Sequence, residues 1–296
     1  TLITVFSLSA LIWAFTVLAS ISTVYGLRVD AATNVKNVNA LLVKKVINNT
    51  VYPLNFYSDY KLLERIPNVT EISSVVMTNP KDQVSIILRK DNRIVTVKAA
   101  LGISSKIEYF TDISRAVSGD INSIDRKYSI IIPRGLASKL NIRTGSNITV
   151  IFRMPGRVSI PYNLTVTGIF SEDALDKIVE LDNRPLKPYV IIDEKIMYAN
   201  STDIVIVNWL FLQNVVKAGY IYSIYLKLDS MEYAESIARN YIERKGSGYY
   251  VWICRSGSTK VMYFGETVEN IFEKNIAFIV PIIIVSINVI ISMYSI

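Results

Sequence analysis

The chain contains no histidine and one cysteine, Cys254. That composition excludes Ser-His and Cys-His nucleophilic pairs, histidine-ligated zinc and imidazole proton shuttles. It also excludes an internal disulfide. Carboxylates are the remaining candidates, in three groups: Glu172, Asp173 and Asp176; Asp193 with Glu194; and Glu180 with Asp182. Clustered carboxylates can hold a hard cation such as calcium, but none of these has EF-hand spacing. Sequence spacing does not report the separation that glycoside hydrolysis needs. All three groups are read as solvated surface. Gly246-Ser247-Gly248 and Gly257-Ser258 lack the spacing of a phosphate-binding loop and read as turns. The expectation is a chain that is not an enzyme and holds no metal or resident cofactor. Five Asn-x-Ser/Thr sequons, at Asn48, Asn68, Asn147, Asn163 and Asn200, are candidate acceptors of N-linked glycans. Trp209, Trp252 and the many tyrosines read as core and strand residues, with a substrate groove or an interfacial belt as the alternatives.

The net charge of +7 is spread among acids rather than bunched, which reads as a solvated basic surface and gives no sign of a nucleic-acid partner. The apolar residues are distributed less evenly. Residues 1–27 carry no charge, and neither do residues 275–296. About 20 apolar residues at 1.5 Å rise cross a hydrocarbon core of roughly 30 Å, so both runs read as transmembrane helices. The first is too long for a signal-peptide core and has no basic leader. In the second, Pro281 is expected to kink the helix, and Asn288 places an amide near mid-bilayer, where a partner helix would satisfy it.

Inside these runs, Ala31, Val35, Val38, Leu42 and Val46 step by four, three, four and four, the period of one helical face. Val261, Phe264, Val268, Ile271 and Phe272 form a second such stripe. Helical stalks over 28–50 and 258–275 are therefore expected, the first ended by Asn48, Asn49 and Thr50 before Pro53. Strands are predicted over 70–77, 84–88 and 94–97, the last two forming a hairpin, and again over 128–132, 148–152 and 162–170. A short helix is predicted over 134–140. A strand at 190–192 with a short helix after it, an ambiguous apolar run at 204–216, and a strand, helix, strand series over 220–254 complete the chain. That last unit resembles half of a ferredoxin-like layer, whose other half is the segment leading into the strand near residue 70.

At 130–170 the residues match a family pattern. Leu136, Ala137 and Leu140 stand on a small-residue helix after a strand. Gly145, Ile148 and Val150 follow in a turn and strand, then Val166, Gly168, Ile169 and Phe170 in a later strand. In this order, between two apolar spans, they resemble the extracytoplasmic domain of FtsX/MacB-type ABC transporter permeases.

The resemblance implies an α+β membrane protein with a two-lobed extracytoplasmic domain flanked by transmembrane helices with helical stalks. It assigns 1–27 and 276–296 to the membrane, 28–50 and 258–275 to the stalks, and 51–104 with 215–257 to a membrane-proximal lobe. Residues 105–214 form an inserted β-rich lobe. It further implies a cell-membrane location with residues 28–274 extracellular, a cytoplasmic ATPase partner that binds the ATP, and a second permease copy. An outer partner is also implied, as are further helices beyond Ile296. In this scheme the stalk faces, Val35, Val38, Leu42 and Val46 against Val261, Phe264, Val268 and Ile271, couple ATP hydrolysis to movement of the outer domain. The alternative is a membrane-anchored, glycosylated surface protein without an ATPase. A tethered hydrolase is disfavoured by the missing histidine.

Overall fold

The computed structural model describes residues 25–30, 36–216, 220–255 and 258–264. Val35, Val268, Ile271, Pro281 and Asn288, together with nearly all of the two apolar runs, lie outside them. No helix among the described residues is long and apolar enough to cross a membrane.

Where helical stalks are expected, the chain is extended. β1 (Tyr25–Asp30) covers the end of the first apolar run and the start of the first expected stalk, and β2 (Ala40–Ile47) lies in its second half. The reason lies in the spacing. Steps of four satisfy a period of two as well as a period near 3.6, so Val38, Leu42 and Val46 share one face of a strand. The intervening Leu41 and Val43 are also fully buried, in the core on the opposite face. A strand covered on both sides accommodates this pattern, whereas a helix would expose half of it. Asn48 and Asn49, with φ of +48° and +64°, form the two-residue turn to β3 (Thr50–Tyr52). Asparagine tolerates this left-handed conformation, and paired positive φ values match the twist of a hairpin.

Residues 56–64 then coil over the sheet. Asn55 caps this segment by accepting from the amides of Tyr57 and Ser58. The segment leads into β4 (Val69–Met77), the hairpin β5 (Ser85–Lys90) with β6 (Arg93–Val97), and β7 (Ala99–Ile103). Short helical turns and β8 (Val117–Gly119) precede β9 (Ser129–Pro133). The helix expected at 134–140 follows as α1 (Arg134–Leu140), then β10 (Asn147–Arg153) and β11 (Pro161–Phe170).

β12 (Tyr189–Ile192) returns as β13 (Lys195–Tyr198), a strand where a helix was expected, through Asp193 and Glu194 at φ of +48° and +63°. The ambiguous run at 204–216 divides into β14 (Ile204–Asn208) and α2 (Trp209–Val216). Asn208 sets the division. Its side-chain oxygen accepts from the Phe211 amide at 3.1 Å, which caps the helix, while its Nδ2 donates to the Ile124 carbonyl. β15 (Ile221–Leu228), α3 (Ala234–Lys245), β16 (Tyr249–Arg255) and β17 (Ser258–Phe264) close the described chain. β17 occupies the start of the second expected stalk. It has Val261 buried on one side and Met262 on the other, so the same two-sided burial replaces the expected helix.

Four of these strands lie in the order β16-β2-β15-β4, all neighbours antiparallel. With residues 56–64 after β2 and α3 after β15, this is the strand order of a ferredoxin-like layer. The layer is split, because residues 78–220 intervene between its second and third strands. The chain thus leaves the layer after Met77, well before residue 104.

The intervening segment extends the same sheet from β4 through β7, β14, β9, β11, β10, β5 and β6. The junction is narrow: β4 pairs with β7 only through Val76↔Gly102 and Met77↔Leu101. One core, containing Leu41, Leu226, Ile242, Ile132, Val166 and Leu212, continues across it. The other face of the layer, lined by Leu42, Tyr225 and Trp252, is covered by Phe110, Leu175 and Leu181 from the insertion.

Gly102 sits at this junction because a side chain there would collide with α2. A Cβ would meet the Trp209 Cα at 3.0 Å and the Leu212 side chain at 3.1 Å. Gly102→Ala is therefore expected to lower stability by about 1–3 kcal/mol, read as a lower urea midpoint. An unchanged midpoint would contradict the close seating of α2 on β7.

Candidate functional site

The loop between residues 178 and 186 departs most from what the sequence indicated. It folds back on itself through Glu180 N to Arg184 O at 2.8 Å and Leu186 N to Ile178 O at 3.0 Å. This carries Glu180 and Asp182 onto the face of the split layer. They are not solvated. The side chains of Glu180 and Asp182 are 2% and 1% exposed, and both meet Lys44 of β2, itself 2% exposed.

Lys44 Nζ donates to Glu180 Oε2 and, at 2.7 Å, to Asp182 Oδ2. Ser223 of β15 donates to Glu180 Oε1 at 2.9 Å, and Arg184 Nε lies 3.5 Å from Asp182 Oδ2. Burial alone would pull Lys44 down, but Asp182 and Glu180 outweigh it and hold the ammonium above the usual lysine value. Burial pushes the Glu180 carboxyl up, opposed by Lys44 and reinforced by Asp182. Sequence reasoning passed over Lys44, although a signal was present. Within LLVKKVI, Lys44 shares strand parity with Leu42 and Val46 and so falls on a buried face.

A smaller buried site fastens α3 to the segment after β3. Asp59 accepts from Tyr241 Oη at 2.8 Å and pairs with Lys245 at 2.6 Å. The other acidic groups disperse: Glu172 accepts from the Gly135 amide, Asp176 meets Lys187 and Ser201, and Asp173 is exposed. Asp193 and Glu194 are exposed in their turn. Among the described residues no group of three His, Cys, Asp or Glu side chains is placed to hold a metal. Cys254 is buried, and burial pushes its thiol up to about 11.

Among the described residues, those expected on the stalk faces lie in or against the sheet rather than on helices. Leu42, Val46 and Val261 lie in the core of the sheet, Val38 is half-buried against it, and Phe264 ends β17. The family-pattern residues come together as the frame of the inserted part. Leu136, Ala137, Leu140, Ile148, Val150 and Val166 share one core. Phe170 sits in the other core, and Gly145 adopts a φ of +89°. Asn48, Asn147, Asn163 and Asn200 are exposed, and Asn68 is half-buried. Two sequons pair across β10 and β11, where Thr165 donates to Asn147 and Thr149 to Asn163.

Beside the Lys44 cluster opens a cleft of about 620 Å³, into which Arg184 of the same loop projects. Tyr52, Tyr189, Tyr198 and Tyr222 give it aromatic walls, and Lys81 adds a second cation. Tyr189 and Tyr198 are stacked with ring centroids 4.8 Å apart. Burial pushes the Tyr189 hydroxyl well above its ordinary value, so it remains protonated. Trp209 and Trp252 are elsewhere, in the packing around the two cores.

No family model and no curated protein matches the chain. Among solved structures it is similar to the outer domains of transport proteins. The periplasmic region of MacB from Actinobacillus actinomycetemcomitans aligns at 13% identity with a TM-score of 0.44, over 73% of this chain and 88% of that one. The extracellular domain of the noncanonic ABC-type transporter YknZ from Gram-positive bacteria aligns at 12% identity and a TM-score of 0.39, over 71% and 98%. A domain of a Porphyromonas gingivalis protein described as a permease aligns at 12% identity and a TM-score of 0.38, over 82% and 98%. Likeness at this level transfers no activity from those proteins to this chain.

Removing Lys44 tests the cluster. Lys44→Met strands two buried carboxylates and should cost about 3–5 kcal/mol at neutral pH. Lys44 opposes the upward push that burial gives the Glu180 carboxyl, so without it the variant's folded state takes up a proton there more readily than either the intact cluster or the unfolded chain. The stability deficit should therefore shrink as pH falls toward 5. Thermal melts that show an equal deficit at both pH values would contradict a buried, ionised cluster.

Proposed function

We propose that this chain is the outer domain, with its flanking spans, of a permease subunit of the FtsX/MacB type. In this reading an ATPase on another chain drives movement that the outer domain passes on. The observation that carries the reading is the pairing of β1 with β17, which sets Tyr25 opposite Phe264. The first apolar run ends within β1 and the second follows β17 in the sequence, so the chain enters and leaves the described body on adjacent strands. The ordered family pattern over 130–170 supports the same reading, as does the split four-strand layer.

The coupling element differs from the helical stalks that the resemblance implied. β1 and β17 are the outer two strands of the sheet itself, with β17 lying between β1 and β16. Relative displacement of the two spans acts on β1 and β17, then through β16 on β2, where Lys44 lies opposite Tyr250. The domain is held outside the membrane, with its exposed sequons accessible to glycosylation. A second permease copy and an outer partner complete the assembly.

Affinity purification of the complete protein from its native membranes tests this. A nucleotide-hydrolysing subunit should co-purify, and the complex should hydrolyse ATP. Recovery of intact, folded protein with no such subunit would overturn the reading and leave a membrane-anchored surface protein.

A further inference from the structure

The cleft beside Arg184 has a composition that the transport reading does not use. Its walls come from four separate stretches of chain: Tyr52 on β3, Lys81 after β4, Tyr189 and Tyr198 on the β12–β13 hairpin, and Tyr222 on β15. The hairpin forms its own two-stranded sheet, apart from the main one, and closes one side of the cleft. The volume of about 620 Å³ lies within the range of small-molecule sites, and the opening to solvent leaves room for a ligand to enter.

The chemistry of the lining narrows the ligand. Stacked phenol rings offer flat, electron-rich faces, which pack against the C–H face of a sugar or another ring. Tyr189 and Tyr198 place their hydroxyls 3.3 Å apart at the cleft, and Asn49, Asn79 and Thr50 add further donors and acceptors. Such groups suit a ligand rich in hydroxyls. The lining contains two cations, Arg184 and Lys81, and no carboxylate. Arg184 faces Asp182 through Nε, and guanidinium groups present further N–H donors in a fixed fork that matches a carboxylate.

We propose that this cleft binds an acidic saccharide, with the sugar ring against Tyr189 and Tyr52 and its carboxylate between Arg184 and Lys81. The site stands on its own side chains and goes beyond the permease reading, because no nucleotide or ATPase takes part in it. The same chemistry could be offered by a free monosaccharide or by the end of a surface polysaccharide.

Isothermal titration calorimetry of the complete protein in detergent, without nucleotide, tests the proposal. The probes are glucuronate, tri-galacturonate, glucose and benzoate. Saturable binding of either acidic saccharide, at least about tenfold tighter than glucose, is expected from the charged contacts. Preference for glucuronate over tri-galacturonate would identify a free sugar as the source, and the reverse would identify a chain end. Lys81→Gln, at an exposed position, should weaken binding by about tenfold with the melting temperature unchanged. Tyr52→Ala should weaken glucose and glucuronate alike. Equal affinity for glucose and glucuronate, tighter binding of benzoate, or no heat from any saccharide with a normally folded protein would each overturn it.

Discussion

Lys44 holds two carboxylates at a point where none of the three side chains reaches water. The loop that brings Glu180 and Asp182 belongs to the insertion, while Lys44 and Ser223 stand on adjacent strands of the split layer. The strand junction between the two parts is short, with two ladder pairs at β4 and β7 extended by Thr78, whose amide donates to the Ala100 carbonyl and whose hydroxyl accepts from the Ala100 amide. The ion cluster supplies a second attachment on the other side of the layer. The apolar cores on both faces of the layer join the two parts as well, and the cluster adds a fastening that is specific in position. A buried charge group of this kind owes little to net stabilisation, because desolvation offsets the Coulombic gain. Its strength is that partial disruption is expensive.

A continuous run of strand ladders links the outer strands of the sheet to the same cluster. β17 pairs with β16, β16 with β2, and β2 carries Lys44. The ladder that begins at Tyr25↔Phe264 thus runs without a break to the strand that carries Lys44. The tyrosine cleft lies beside that same loop and shares Arg184 with it.

Much of the inserted part could be read directly. The helix at 134–140 is closed by Asn141 at a φ of +53°, a conformation that asparagine tolerates, and most of the family-pattern residues pack the two cores. The segments beside the two apolar runs differ from the expected helices for an identifiable reason. Steps of four, as from Val38 to Leu42 to Val46, do not separate a helix from a strand. The separation comes from Leu41 and Val43, whose burial depends on layers contributed by distant parts of the chain. Glu180 and Asp182 were misread because acidic side chains near Pro and Asn normally face water. Only the fold places a lysine above them. The cleft was illegible for a similar reason, since its tyrosines lie on three stretches of chain that local pattern does not connect.

The central claim is that junction and cluster together make the split layer and its insertion one cooperative body. Native-state hydrogen exchange measures this most directly. The buried amides of Leu41–Val43 in β2 and Ile130–Ile132 in β9 should exchange with the same opening free energy and the same denaturant dependence, since they would open only together. If the β9 amides exchanged through a separate, lower-energy opening while β2 stayed protected, the two parts would unfold independently, and the account would fail.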